Sequence, residues 1–244
     1  MISTNNIPAY ILFASHETNR KDSVALIENE LSNLTIVEPI FAKYQKIPFL
    51  NKLITLSKAR TGKALSPAEV SVLLSHRLIW QKIIKAAKDN QSHFLILESD
   101  SKLNNPQVLK ENFYTFTKDY DLFFWGAWDG NTRIKKSTIQ FKVHPYSIGE
   151  PLIKSVYCTY GYSLNKKAAA YLLKATNRIS YPVDIYKKFI QKGQLTLGAT
   201  RPEIIGAWYD TPSTVQKQSK FIKLRRFIIV QVFDFRNRIQ AYFS

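Results

Sequence analysis

Cysteine is almost absent from the 244-residue chain. The single one, Cys158, excludes an internal disulfide and fits a reducing compartment. Acids are scarce: 18 Asp and Glu stand against 35 Lys and Arg, a formal net charge of +17. A chain that basic keeps anionic company, whether nucleic acid, an anionic bilayer or phosphate-bearing substrates. No apolar run is long enough to span a bilayer. The stretch from Met1 to Ile11 lacks a basic region followed by a long apolar run, so no signal peptide is expected there. These absences predict a cytoplasmic protein, with room for peripheral attachment to the inner face of the cytoplasmic membrane. Zinc-ligand spacings and an aromatic–basic RNA-binding segment are missing too, so no nucleic-acid partner is expected despite the charge. Internal repeats and low-complexity segments are also missing.

What is present argues for a folded body. Apolar residues make up 45% and aromatics 13%, enough for one large domain or a domain with appendages. The most informative stretch is Phe94-Leu95-Ile96-Leu97-Glu98-Ser99-Asp100. Four bulky apolar residues suit a strand buried on both faces. Ligand sites in open α/β sheets lie just beyond the carboxyl ends of such strands. If the chain stays extended, Glu98 and Asp100 point to one side and can hold Mg²⁺ or Mn²⁺ with diphosphate oxygens. The same spacing also fits a plain strand end facing water.

Along the chain, Ala9 to Phe13 reads as a first strand, followed by a polar turn. Val24, Ile27, Leu31 and Leu34 then recur at helical spacing. In this β-turn-α opening, Arg20 and Lys21 stand near the helix start, where they can meet a nucleotide phosphate or simply face solvent. Thr35 to Pro39 reads as a second strand, and Phe41 to Lys63 as irregular and basic. Ser66, Pro67 and Glu69 spell an N-cap, a first helical residue and the return partner of a capping box. The helix they open runs towards Ala87 and carries Ser75, His76 and Trp80. Asn104-Asn105-Pro106 turns into a helix with Val108, Leu109, Phe113 and Phe116. Tyr120 to Trp125 reads as a strand leading into a turn with Asp129 and two indoles. Arg133 to Pro151 reads as a basic loop or hairpin able to shape an acceptor site. Val156 to Leu164 is strand-like, with Gly161 allowing close backbone approach. Asn165 caps a helix of Lys166 to Ala175, and Tyr181-Pro182-Val183-Asp184 presents an acid after a proline-fixed turn. Leu195 to Leu197 and Glu203 to Ile205 read as late short strands.

The last stretch differs. Phe221, Leu224, Ile228, Val232, Phe235, Ile239 and Tyr242 recur at steps of three or four, amid Lys and Arg, against one acid, Asp234. That pattern predicts a basic amphipathic helix, suited to an anionic bilayer surface, to docking on the body or to pairing in a dimer. Asp234 could break it. The expected division is therefore 1–212 for the main domain and 213–244 for the helical segment.

Three pieces together resemble glycosyltransferase family 25, the lipooligosaccharide-type sugar transferases. The first runs Leu65-Ser66-Pro67-Ala68-Glu69-Val70, then Leu74-Ser75-His76, then Trp80. The second is Leu95-Ile96-Leu97-Glu98-Ser99-Asp100, similar to the family's L-I-L-E-D-D. The third is Tyr160 to Ala169 with Pro182-Val183-Asp184. Ser71-Val72 stands where the family has Gly-Cys, and Ser99 replaces the middle acid. The resemblance implies an α/β, GT-A-like nucleotide-sugar-binding sandwich with a mostly parallel central sheet and a divalent metal. It implies transfer of galactose or glucose from a UDP-sugar donor to a lipooligosaccharide or LPS core, or a related surface glycan. On that reading Glu98 and Asp100 hold the metal, and Arg20, Ser75, His76 and Glu98 serve the donor. Asp184 is the first candidate for general base and Asp129 the second. A catalytically weakened scaffold, suggested by Ser99, and a basic nucleic-acid binder are the alternatives.

Overall fold

Side chains alternate along an extended chain, so a strand with apolar residues at every position must be covered on both faces. The computed structural model, which describes residues 6–127, 130–208, 231 and 233–244, meets that requirement with helices on either side of one sheet. In chain order, β1 (Ala9–Leu12) leads through a short 3₁₀ turn into α1 (Lys21–Glu30) and β2 (Leu34–Val37). Then come α2 (Leu50–Thr61), α3 (Pro67–Ala86), β3 (Phe94–Glu98) and β4 (Ser101–Leu103). They are followed by α4 (Pro106–Thr117), β5 (Leu122–Gly126), β6 (Phe141–Val143) and β7 (Tyr146–Gly149). The body ends with β8 (Gly161–Leu164), α5 (Lys166–Ala175), β9 (Leu197–Arg201) and β10 (Ile205–Ala207). A terminal helix, α6, covers residues 233–242.

Eight strands form the central sheet in the order β2-β1-β3-β8-β5-β9-β7-β6. β1 is parallel to β2 and β3, and β5 to β9. β8 wedges antiparallel between β3 and β5, and β7 runs antiparallel to both β9 and β6. Six of the eight strands therefore share one direction, and the sheet is mixed by pairing yet mostly aligned. The expected α/β class holds. The basic segment after Arg133 is the β6–β7 hairpin, and it extends the sheet at one edge. A second, two-stranded sheet pairs β4 with β10.

β3 shows how the layers are set. Phe94 and Ile96 pack with Val70, Leu73, Trp80 and Ile83 of α3 and Leu172 of α5. Leu95 and Leu97 pack with Ile27 of α1 and Leu109, Phe113 and Phe116 of α4. Both capping signals are realised. Ser66 Oγ accepts from Glu69 N at 3.1 Å, and Ser66 N donates to Glu69 Oε2 at 2.7 Å. Asn165 Oδ1 accepts from Ala168 N at 2.9 Å and opens α5. Gly161 answers a real proximity: a Cβ there would come 2.6 Å from Ile205 Cγ2.

Four local expectations need correction. Leu34 belongs to β2, because α1 stops at Glu30. The irregular reading of Phe41 to Lys63 misses α2, which packs against α3 through half-buried Leu50, Leu53 and Ile54. Residues 156–160 are not strand; only Gly161–Leu164 pairs. The late strands lie further on than read, at Leu197–Arg201 and Ile205–Ala207. Most of the C-terminal segment, including Phe221, Leu224, Ile228 and Val232, lies outside the described residues. Within them α6 runs unbroken through Asp234.

Candidate active site

The carboxyl ends of β1 and β3 and the start of the reversed β8 meet at one rim of the sheet. Alternation along β3 sends Glu98 to the same side as Phe94 and Ile96, towards α3. There His76, fully buried, lies with Nε2 3.1 Å from Glu98 Oε1. Trp80, one turn later, donates its indole N–H to the Tyr162 hydroxyl at 3.0 Å. An indole can only donate, so the tyrosine oxygen accepts, and its own hydrogen is free to turn to His76 Nδ1 at 2.8 Å. The imidazole then carries its hydrogen on Nε2 and presents it to Glu98. Thr159 Oγ1 donates to the same carboxylate oxygen. Burial works against the Glu98 charge. The hydrogen bonds from His76 and Thr159 and the charge of Arg20 outweigh it, and the group's pKa sits below the usual carboxylate range.

Asp100 has the opposite character. Its chain has left the strand, yet its carboxyl returns to the same rim and meets Arg20, whose Nη1 lies 3.1 Å from Oδ2. Arg20 is itself only 6% exposed. The same nitrogen donates to Ser99 Oγ at 3.0 Å, and Ser99 Oγ donates to Glu17 Oε2 at 3.3 Å. Ser99, standing where the motif has an acid, thus helps seat the arginine. Burial, then the charge of Glu98, pushes the Asp100 carboxyl up to about 6, with Arg20 opposing. Asp100 Oδ1 is buried with no hydrogen-bond partner. Among the described residues, no three His, Cys, Asp or Glu side chains converge as a ready-made metal cage.

Glu98, Ser99, Asp100 and Arg20 line one side of a cavity of about 460 Å³. The facing wall is the segment 39–42, held to α3 by two hydroxyls one helical turn apart. Ser75 Oγ accepts from Ile40 N at 2.8 Å, and Ser71 Oγ accepts from Ala42 N at 3.0 Å. Each serine also donates back to the helix, Ser71 to Pro67 O and Ser75 to Ser71 O, both at 2.8 Å. Phe41, in this wall, forms a ring cluster with His16 and Tyr44, at centroid distances of 5.6 and 5.4 Å.

Of the expected site residues, Arg20, Ser75, Glu98 and Asp100 line this cavity. His76 stands behind Glu98 rather than in the wall. Asp184 is not a wall residue either, although the charges of Glu98 and Glu69 reach it. Burial, then Glu98, raises its pKa, and its Oδ1 is buried without a partner. Asp129 lies outside the described residues. Sequence reasoning missed Glu17, Ser71, Thr159 and Tyr162 as site residues. Only Tyr162 carried a signal, its place in the Gly-Tyr piece, and its partner could not be read from that.

The profile of glycosyltransferase family 25, described as LPS biosynthesis proteins, matches residues 7–187. That span holds β1, both carboxylates, His76, Tyr162 and Asp184. The chain belongs to glycosyltransferase family 25. As a family 25 glycosyltransferase it transfers sugar from a glycosyl donor to a glycan acceptor in LPS biosynthesis. No curated protein sequence matches the chain. Among the described residues, no helix of this family 25 chain is long and apolar enough to cross a membrane.

Proposed function

We propose that this enzyme moves a hexose, galactose or glucose, from a UDP-sugar to a lipooligosaccharide or LPS core, or a related surface glycan. Transfer inverts the anomeric centre, is assisted by Mn²⁺ or Mg²⁺, and takes place at the cytoplasmic face of the inner membrane. One observation carries the reading: a buried arginine and two carboxylates of opposite pKa tendency share one cavity wall. Arg20 offers a fixed positive charge to an anionic diphosphate. The residues also fit a hard divalent cation. Asp100 Oδ1 has no other partner, and a cation would relieve the repulsion that raises its pKa. Such ions take one or two carboxylates and complete their shell with water and substrate phosphates. When bound, the metal supplies neutralising charge to the departing diphosphate.

The chain's own groups divide the remaining work. Glu98 is kept ionised by His76 and Thr159, so it is ready to accept rather than donate. Arg20 holds Asp100 at the rim. Asp184, with raised pKa and an unpartnered oxygen, is suited to take the acceptor hydroxyl's proton during in-line attack. The wall at 39–42, with Phe41, offers a flat apolar surface of the kind a nucleobase packs against.

A thermal-shift series with UDP, UDP-glucose and UDP-galactose, with and without Mn²⁺, tests the donor. One UDP-sugar with Mn²⁺ is expected to raise Tm, since a ligand that binds only the folded state stabilises it. No response to any of them overturns the donor assignment. Asp184→Asn is expected to lower turnover by about 10²–10⁴-fold with donor affinity kept; unchanged turnover removes Asp184 from the base role.

A further inference from the structure

The terminal helix α6 is docked the wrong way round for a helix that hides its apolar face. Asp234, Asn237 and Ala241 are buried, at 4%, 0% and 6% exposure. The anchor is ionic. Asp234 Oδ1 pairs with buried Arg133, and Asp234 Oδ2 accepts from Arg238 Nε at 2.7 Å. Arg133 belongs to the segment that leads into the β6–β7 hairpin; its amide donates to Ser155 Oγ at 2.9 Å. The helix therefore sits by its polar side on a firmly bonded part of the body.

The apolar stripe is left outside. Phe235, Ile239 and Tyr242 are 66%, 48% and 61% exposed, and Phe243, just past the helix, is 82% exposed. At about 100° per residue, the stripe lies roughly 140° round the helix from the buried side. Arg236 flanks it on one side and Arg238 on the other. Lys136 lies 4.0 Å from the centroid of the Tyr242 ring, adding a third cation at the stripe's end.

We infer that this face is a docking surface for an anionic lipid bilayer, with Phe235, Ile239, Tyr242 and Phe243 entering the interface and Arg236, Arg238 and Lys136 meeting lipid headgroups. Charge decides the occupant. A two-fold dimer would set the same patch against itself, bringing like cations together. A negatively charged bilayer complements them and also accepts the aromatic stripe, the combination expected of an interfacial helix. A net charge of +17 on the chain works in the same direction. The buried Asp234–Arg133 pair fixes which side of the body faces the lipid. The inference is independent of the donor reading, because binding needs neither nucleotide nor acceptor.

The test is co-sedimentation of the full chain with vesicles of phosphatidylglycerol and phosphatidylethanolamine, against vesicles of phosphatidylcholine alone. Binding to the anionic vesicles is expected, weakening as salt rises. The triple variant Phe235→Ser, Ile239→Ser, Phe243→Ser is expected to lose about tenfold or more of that affinity, with Tm unchanged. Arg236→Glu, a single exposed change, is expected to weaken anionic binding without disturbing the fold. The inference is overturned if the wild-type chain does not prefer anionic vesicles, or if both variants bind as it does. It is also overturned if sedimentation velocity shows a wild-type dimer that the triple variant converts to monomer, which would assign the face to a second copy.

Discussion

His76 has no opening onto the cavity, yet its hydrogen-bond partners give it a definite task. Trp80 commits the Tyr162 oxygen, Tyr162 commits His76 Nδ1, and His76 Nε2 is left to hold Glu98 ionised. Tyr162→Phe removes the group that fixes the tautomer and strands two buried partners. A stability loss of about 1–3 kcal/mol is expected from the unsatisfied groups. Glu98 then loses its oriented donor and its pKa rises, so the acid limb of the pH–rate profile should move to higher pH. Trp80→Phe leaves Tyr162, His76 and Glu98 in place. It should cost stability and move that limb less than Tyr162→Phe does, because Tyr162 still faces His76, and an unmoved limb in Tyr162→Phe would contradict the relay. Asp100 behaves in the opposite sense. Its folded pKa of about 6 lies above the ordinary aspartate value, so its charge costs stability as pH rises from about 4 to 6, and the cost stays constant above that. Asp100→Asn should therefore raise Tm at pH 7.5, by the equivalent of about 1–3 kcal/mol, while abolishing turnover. The gain should vanish as melting curves are repeated towards pH 4.

At the scale of elements, the cavity depends on one helix face. Ser71 and Ser75, one helical turn apart, hold alternate amides of the 39–42 segment. Ser71→Ala should release Ala42 and loosen the wall, raising the donor KM about three- to tenfold with kcat little changed. Ser71→Thr, which keeps the hydroxyl, should restore it. The residue looked like a packing substitution in the sequence because its partner is 29 positions away. The same limit governs what else was legible. α3 announced itself through Ser66, Pro67 and Glu69 because a capping box is local, and β3 through an unbroken apolar run. α2 was silent: its N-cap, Phe49, makes no side-chain cap and has φ 59°, and Ser57 is its only buried residue among the described ones. β4 is three residues long and exists because β10, about a hundred positions later, pairs with it. Glu98 and Asp100 could be picked out as a pair. That one is held low and the other pushed up depends on Arg20, His76 and Thr159, which only the tertiary fold brings together.

Across the whole molecule, positive charge is both surface and equipment. Arg20 serves the cavity and Arg133 anchors the terminal helix, while the cations beside the apolar stripe face outward. Composition announced anionic partners without saying which arginine met which. The strand order of the sheet, by contrast, follows from a plan no local pattern contains. β8 joins two neighbours, β3 and β5, that are both made before it. During synthesis, then, β1, β2 and β3 can pair early with an open edge at β3, while β5 and the β6–β7 hairpin stay unjoined until β8 and then β9, ending at residue 201, have emerged. Exposed edges of that kind recruit other strands. Overproduction of this enzyme is thus a race between the emergence of two short late strands, β8 and β9, and the pairing of nascent chains with each other. Slower translation or a chaperone that shields strand edges should favour soluble material.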